Sequence, residues 1–463
     1  MRPTLTLVML LASRTARCLV RVAPRSPARF APLRRASTAE PAAPDAVDPS
    51  SLESAFLKEF IGRGYLAQCT DLSGLDEAMS GGPVAAYLGF DATADSLHVG
   101  SLLQIMILRL LQKHGHTPVV LVGGGTTKVG DPSGKDESRK LLDDAAIAGN
   151  IAGISSIFDK FLDFGPGGAV LVNNADWLDE LAYVKFLREF GSHFSVNRML
   201  SFESVKQRLG REQPLSFLEF NYMILQAYDF VELARRYDVK LQLGGSDQWG
   251  NIVSGVELAR RVDRKSLVGL TAPLIATSDG RKMGKTAEGA VWLSPGKLAP
   301  YDYWQFWRNT VDDDVVRFTR MFTDAPLDDV DALERELAAA PDAAAVNAAK
   351  RRLADACTTL LHGADALPDI HATVDRLFAG GGGSAASLPR VAVGDAEITV
   401  VDALVSAGFA KSKSEAKRLI KGGGARLDGA KVDDVDATVA LEAGVDVKLS
   451  SGKKKHAILE LAG

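Results

Sequence analysis

The chain has 463 residues, about three domains at ordinary domain size, and its 46% apolar and 24% charged residues are those of a soluble protein with large cores. Its longest apolar run near the start, Leu5 to Ala12, is far short of the roughly 20 residues that span a bilayer, and its three cysteines (Cys18, Cys69, Cys357) are far apart with no CxxC pair. Composition therefore excludes an integral membrane protein, a disulfide framework and a structural zinc site, while a net charge of −4 gives no sign of a nucleic-acid partner.

The charge is unevenly distributed. Residues 1–39 hold eight arginines, no lysine and no acid, with Ser and Thr interspersed. An Arg-rich, acid-free, hydroxyl-bearing start is the pattern of an organellar transit peptide, predicted over residues 1–40 and set aside from fold reasoning. A mitochondrial matrix destination is favoured over a plastid or dual targeting. The competing readings are a disordered nucleic-acid-binding arm and, for Leu5–Ala12, a short signal core.

From about Ser51 to Ile275 short apolar runs alternate with amphipathic stretches. Val84–Phe90, Pro118–Val122, Ala169–Val172, Lys240–Leu243 and Val268–Ile275 are predicted strands; Leu97–His114, Leu178–Phe190, Leu218–Tyr237 and Gln248–Val262 have helical spacing. This alternation predicts an α/β fold, a Rossmann-like parallel sheet with helices on both faces, over residues 51–295. Ligands of such sheets sit at the carboxyl ends of the strands. Residues 296–378 carry no strand signal and predict a small all-helical domain. The GGGGS run at Gly380–Ser384 marks a flexible linker over 379–396, and residues 397–463 predict a small α+β domain.

Four constellations between these elements carry chemistry. In Tyr87-Leu-Gly-Phe-Asp91-Ala-Thr93-Ala-Asp-Ser-Leu-His98-Val-Gly100-Ser101 a strand ends, the chain turns and a helix begins near His98. A helix start offers unpaired N–H groups to phosphate oxygens, and Gly100 would let a nucleotide approach the backbone; a plain strand–turn–helix is the equal competitor. The stretch Gly123-Gly-Gly-Thr-Thr-Lys-Val-Gly130-Asp131-Pro-Ser-Gly134-Lys135 fails as a P-loop, with three residues between Gly130 and Gly134 where four are needed and no hydroxyl after Lys135. It remains a Gly-rich turn with Lys135 and Arg139 available to anions. Lys282-Met-Gly-Lys285-Thr286 would by itself be a solvated turn, but opposite the first loop it becomes a candidate phosphate clamp. Tyr222, Gln226 and Asp229 lie on one helical face, either solvent-facing or lining a polar pocket; the flanking aromatic residues favour the pocket.

Together these residues resemble the bacterial-type tyrosyl-tRNA synthetases of class I. The first loop is similar to the His-Ile-Gly-His signature, Lys282–Thr286 to Lys-Met-Ser-Lys-Ser, and Gly244-Gly-Ser-Asp247-Gln248-Trp-Gly-Asn251 with the Tyr222 helix marks the tyrosyl member. The resemblance implies that Tyr87 and Asp229 bind the phenol of L-tyrosine, that Asp131, Tyr222 and Gln226 hold its ammonium group, and that Gln248 lies near its carboxylate. It places Asp247 at the ribose of ATP, Ile275 near adenine, Asp91 and Gly100 beside the nucleotide, Thr93 and His98 at the γ-phosphate, and Lys135, Arg139, Lys282 and Lys285 on pyrophosphate. Mg2+ would arrive with the ATP, and no residue is assigned to a protein-bound metal. The chemistry needs no general base, because the attacking carboxylate is already an anion; catalysis falls to cations and N–H groups facing the departing pyrophosphate. Ser101 stands in place of the second signature His, and Leu88 where many relatives have Cys, which implies altered ribose contacts. Gly284 and Thr286 keep both lysines and are expected to be harmless.

Residues 411–431 hold seven cations against two acids, on two predicted short helices and a hairpin; a solvated helix face is the competing reading. The pattern is similar to the RNA-binding domain named after small-subunit ribosomal protein four. It implies tRNA(Tyr) as partner, through Lys411, Lys413, Lys417, Arg418 and Lys421, and family resemblance further implies a homodimer. The alternatives are the tryptophanyl relative and an RNA-binding protein that has lost activation.

Overall fold

A computed structural model describes residues 47–133, 142–280, 283–286, 289–339, 342–378, 388–442, 445–452 and 455–461. The predicted leader over residues 1–40, Lys135, Arg139, Lys282 and the Gly380–Ser384 run lie outside the described residues.

The first part of the chain runs α1 (Ala55–Gly62), β1 (Gln68–Cys69), α2 (Leu72–Ser80), β2 (Ala85–Phe90), α3 (Val99–Lys113), β3 (Thr117–Val122), α4 (Asp144–Phe158), β4 (Val170–Asn173) and α5 (Ala175–Leu178). It continues through α6 (Tyr183–Glu189), α7 (Val196–Met199), α8 (Glu203–Gly210), α9 (Phe217–Arg236), β5 (Val239–Gly245), α10 (Trp249–Val262) and β6 (Val268–Ala272). The five predicted strands are present, in a sheet of order β1-β6-β5-β2-β3-β4 whose neighbours are parallel except for the antiparallel β1–β6 pair. From β2 the sheet grows one way through β3 and β4 and the other way through β5 and β6. This doubly wound order opens a crevice beyond the carboxyl ends of β2 and β5, at the switch point.

Successive strand residues face opposite sides of a sheet. Ala86 and Leu88 of β2 therefore enter the core shared with α3, whereas Tyr87 enters a second core shared with α9. Nine residues of α3 are buried, and burial of each large aliphatic side chain stabilises by about 1.5–3 kcal/mol, so the N-terminus of α3 is firmly placed. The start of α9 is held by a capping box between Ser216 and Glu219, and Glu219 also accepts from the buried Arg208 guanidinium at 3.2 Å.

Three local expectations are corrected. The predicted helix Leu178–Phe190 is two pieces, α5 and α6, separated by extended backbone at Ala182 (φ −72°, ψ 111°). Strand β6 stops at Ala272, because Pro273 has no N–H for the ladder. Helix α4 has no counterpart among the predicted elements: its Ala, Gly and Ile residues form only a weak apolar stripe, and its start is fixed instead by Asp143, which accepts from the Ala146 N–H.

After a short hairpin, β7 (Lys285–Thr286) and β8 (Gly289–Ala290), come α11 (Pro300–Arg308), α12 (Val315–Phe322), α13 (Leu327–Ala339), α14 (Ala343–His362) and α15 (Leu367–Phe378). Tyr303, Trp304 and Trp307 of α11 and Phe318 and Phe322 of α12 are fully buried. The last part holds β9 (Arg390–Val393), β10 (Glu397–Thr399), α16 (Val400–Ser406), α17 (Lys413–Lys421), β11 (Ala425–Leu427), β12 (Ala430–Lys431), β13 (Thr438–Ala440), β14 (Val447–Ser451) and β15 (Lys455–Leu461). Strand β9 falls inside the stretch 379–396 expected to be linker, yet it pairs in parallel with β15, so the ordered C-terminal unit includes residues ahead of 397.

Candidate active site

The crevice is walled by carboxylates whose partners come from the ends of neighbouring strands. Asp91, just past β2, accepts at Oδ1 from the Thr126 hydroxyl (2.8 Å) and at Oδ2 from the Tyr222 hydroxyl (3.1 Å). The Gly-rich turn after β3 makes this approach possible: a Cβ on Gly123 would lie 2.3 Å from Asp91 Oδ1, and one on Gly124 would lie 2.2 Å from Asn173 Oδ1. Those glycines admit the side chains of Asp91 and Asn173 against the turn.

Asp229, on α9, is 1% exposed. Its Oδ1 accepts from Trp177 Nε1 (2.7 Å) and its Oδ2 from Asn174 Nδ2 (3.0 Å). Asn174 is itself a hub, donating also to Thr126 Oγ1 (3.0 Å) and accepting from the Gly125 N–H (2.8 Å). Burial pushes the Asp229 carboxyl up to about 8 against the lowering effect of its two donors. Tyr87 is also buried, its ring 5.2 Å from that of Phe230, and its hydroxyl has no hydrogen-bond partner among the described residues. Burial, with the neighbouring charge of Asp229, holds that phenol well above its ordinary range. A buried carboxyl and a buried phenol thus lie close to the carboxyl ends of the strands, with the hydrogen-bonding capacity of the Tyr87 hydroxyl left over among the described residues.

Higher up, Gln248 Nε2 donates to Asp131 Oδ2 (2.9 Å), while Asn251 Nδ2 donates to both Gln248 Oε1 (3.1 Å) and Gln226 Oε1 (2.9 Å). The expected trio of Asp131, Tyr222 and Gln226 is not joined by direct bonds: Tyr222 is tied to Asp91 and Gln226 to Asn251. Burial raises the Tyr222 phenol, and so do the neighbouring charges of Asp91, Asp131 and Asp229. Asp247 is exposed beside Gln248, and Ile275 is half-buried.

His98 caps α3. Its Nδ1 accepts from the Gly100 N–H (3.0 Å), so the neutral ring carries its proton on Nε2. The loop before it, with Thr93 exposed, is pinned by α4: Asn150 Nδ2 donates to the Ala92 carbonyl (2.8 Å), and a Cβ on Gly153 would lie 2.1 Å from the Asp95 oxygen. The backbone beyond Lys282 is laced to the same turn. Met283 N–H donates to the Ile275 carbonyl (3.2 Å), Val291 N–H to that of Gly284 (3.0 Å), and Val99 N–H to that of Val291 (2.9 Å). Lys285 lies in β7. Ser101 is half-buried, and Leu88 is 4% exposed within the core.

Thr126, Asn150, Asn174 and Trp177 have no role assigned from the sequence, and Asn251 enters there only as part of the Gly244–Asn251 motif. The available signal was the Asn173-Asn174 pair directly after β4, since a strand's carboxyl end is where a doubly wound sheet binds.

The model of class I tRNA synthetases for tryptophan and tyrosine matches residues 79–379, and that of a tyrosine–tRNA ligase C-terminal domain matches residues 383–459. Fold and crevice are those of a class I aminoacyl-tRNA synthetase. The chain is 56% identical over 413 residues to a tyrosine–tRNA ligase of Zymomonas mobilis, a match covering 89% of this chain and 99% of that one. Truncated mitochondrial tyrosyl-tRNA synthetases of Aspergillus nidulans (27% identity, TM-score 0.62, 70% of this chain and 94% of that one) and Coccidioides posadasii (30%, 0.59, 68% and 90%) share its structure. Within that class the chain belongs to the tyrosine–tRNA ligase family.

The raised carboxyl of Asp229 makes a prediction about stability. An unfolded Asp loses its proton near pH 3.9, whereas Asp229 keeps its proton in the folded chain up to about 8. Between these values folding takes up a proton, so stability is full below about pH 4 and falls as pH rises through 8. Asp229→Asn, neutral throughout, is expected to lose less stability than the wild type between pH 5 and pH 8 in urea unfolding; equal losses would contradict the assignment.

Proposed function

We propose that this chain is an organellar tyrosine–tRNA ligase that activates L-tyrosine with ATP and passes it to the 3′ end of tRNA(Tyr). The carrying observation is the buried pair of Asp229 and Tyr87 at the floor of the crevice. The substrate phenol meets Asp229 and Tyr87. Asp131, Tyr222 and Gln226 surround its ammonium group, and Gln248 lies by its carboxylate. ATP enters between the Thr93–Gly100 loop and the loop carrying Lys282 and Lys285, with Asp91, Asp247 and Ile275 along adenosine and Mg2+ travelling on the phosphates. The tyrosine carboxylate oxygen forms a bond to the α-phosphorus as the bond from that phosphorus to the bridging oxygen breaks. The electron pair leaves with pyrophosphate. Charge building on that group is stabilised by the His98 ring N–H and by Lys135, Arg139, Lys282 and Lys285. The direct test is ATP–pyrophosphate exchange: the full chain is expected to exchange with tyrosine and not with tryptophan, and tRNA binding without tyrosine-dependent exchange would favour a protein that has lost activation.

The C-terminal unit is read as the tRNA-holding part. Ala416 and Ile420 bury one face of α17, leaving Lys417, Arg418 and Lys421 exposed along the other, with Lys411 exposed just ahead; Lys413 is paired with Asp402 at 2.6 Å. Such a face suits an RNA backbone. Lys417→Glu combined with Arg418→Glu is expected to raise the KM for tRNA in charging at least tenfold while leaving exchange within twofold. An unchanged KM would move the RNA elsewhere.

A homodimer is supported by large apolar side chains left in solvent between β4 and β5: Tyr183, Val184, Val196, Leu200 and, most exposed on α9, Phe217 at 69%. Phe217→Asp is expected to shift sedimentation from dimer to monomer; a wild-type monomer would refute this. A mitochondrial destination is supported by the Arg-rich, acid-free start of the chain.

A further inference from the structure

We infer that Gly284 is a positioning residue: its lack of a side chain lets the lysine loop seat directly on the His98–Gly100 turn, and the serine of the family signature would hold the loop away. Two bare backbones meet here. Gly284 has φ +80°, and a Cβ on it would lie 2.5 Å from the Gly100 nitrogen and 3.3 Å from both the Gly100 Cα and the Val99 carbonyl carbon. From the other side, a Cβ on Gly100 would lie 3.4 Å from the Met283 oxygen and 2.6 Å from the His98 ring.

The atoms facing Gly284 cannot give way. They are main-chain atoms of the first turn of α3, a helix anchored by nine buried residues. The loop has to move instead, and the Val291–Gly284 and Val99–Val291 backbone bonds on its flank resist that movement. Removing a contact this short takes a shift of about 1 Å, which at a reacting centre is enough to cost on the order of 100-fold in rate. Lys282 and Lys285 flank Gly284 in the sequence, so the effect on catalysis rests on the function proposed above. The expectation from sequence that Gly284 is a harmless replacement is thereby reversed: restoring the signature serine should impair this enzyme.

A built-in control separates the contact from backbone strain. Gly280, nearby in the same connection, has φ +81°, and a Cβ on it would meet nothing within 4 Å. Gly280→Ala therefore imposes the same left-handed strain without the collision. The experiment compares wild type, Gly280→Ala, Gly284→Ala and Gly284→Ser in the full chain, by tyrosine-dependent ATP–pyrophosphate exchange and by amide hydrogen exchange at Val99 and Val291. Both Gly284 variants are expected to lose at least tenfold in kcat, with tyrosine KM within twofold of wild type and with faster exchange at the two amides. Gly280→Ala should stay within twofold in kcat and keep the amides protected. Gly284→Ser matching Gly280→Ala in kcat or in amide protection would overturn the inference, as would a rise in tyrosine KM parallel to the loss in kcat. The amide measurement needs no catalysis, so absence of exchange activity in the wild type would refute the proposed function and leave this inference to be decided by the amides.

Discussion

The costliest group in the crevice is the buried carboxyl of Asp229, and much of the surrounding architecture satisfies it. A buried charge or polar atom without partners is strongly destabilising, so donors have to be brought to it. Trp177 comes from a short helix after β4 and Asn174 from the end of that strand. Asn174 then spends its remaining amide hydrogen on Thr126, which in turn donates to Asp91. One amide therefore connects the buried Asp229 carboxyl with the Asp91 carboxylate just past β2. The glycines of the turn at 123–125 are the steric condition for that network, because side chains there would collide with Asp91, Asn173 and Leu178.

The two halves of the crevice are built on different physical terms. One side is a set of side-chain hydrogen bonds that joins the ends of β2 and β4 to α9 and leaves the Tyr87 hydroxyl without a partner among the described residues. The other side, where ATP is proposed to bind, is assembled mainly from backbone: a capped helix start, a loop pinned by α4, and a hairpin laced to the helix start. Catalysis of adenylation asks for this division, since the nucleophile needs no activation and the departing pyrophosphate needs preorganised positive charge.

The doubly wound sheet was legible in the sequence because its strands are continuous apolar runs at regular distance, and the candidate residues on α9 were legible because Tyr222, Gln226 and Asp229 interrupt an apolar pattern on one face. Helix α4 was not, since its small residues give little stripe, and Gly153 is there to meet Asp95 rather than to build a core. Nor were Asn174 and Trp177, whose importance arises only when β4 is placed beside the end of α9. The net charge of −4 concealed most: the eight arginines of residues 1–39 are part of that total, which is about −12 without them, although the exposed face of α17 is cationic. A sum over the chain carries no information about where its charges stand.

The central claim is that Asp229, held in place by Asn174 and Trp177, reads the substrate hydroxyl. The most direct measurement is calorimetric affinity for tyrosine and for phenylalanine, in the wild type and in Asp229→Ala. The account predicts that the wild type's preference for tyrosine collapses in the variant, because tyrosine loses its partner and phenylalanine no longer leaves a buried carboxyl unpaired. A preference that survives the substitution undiminished would contradict it.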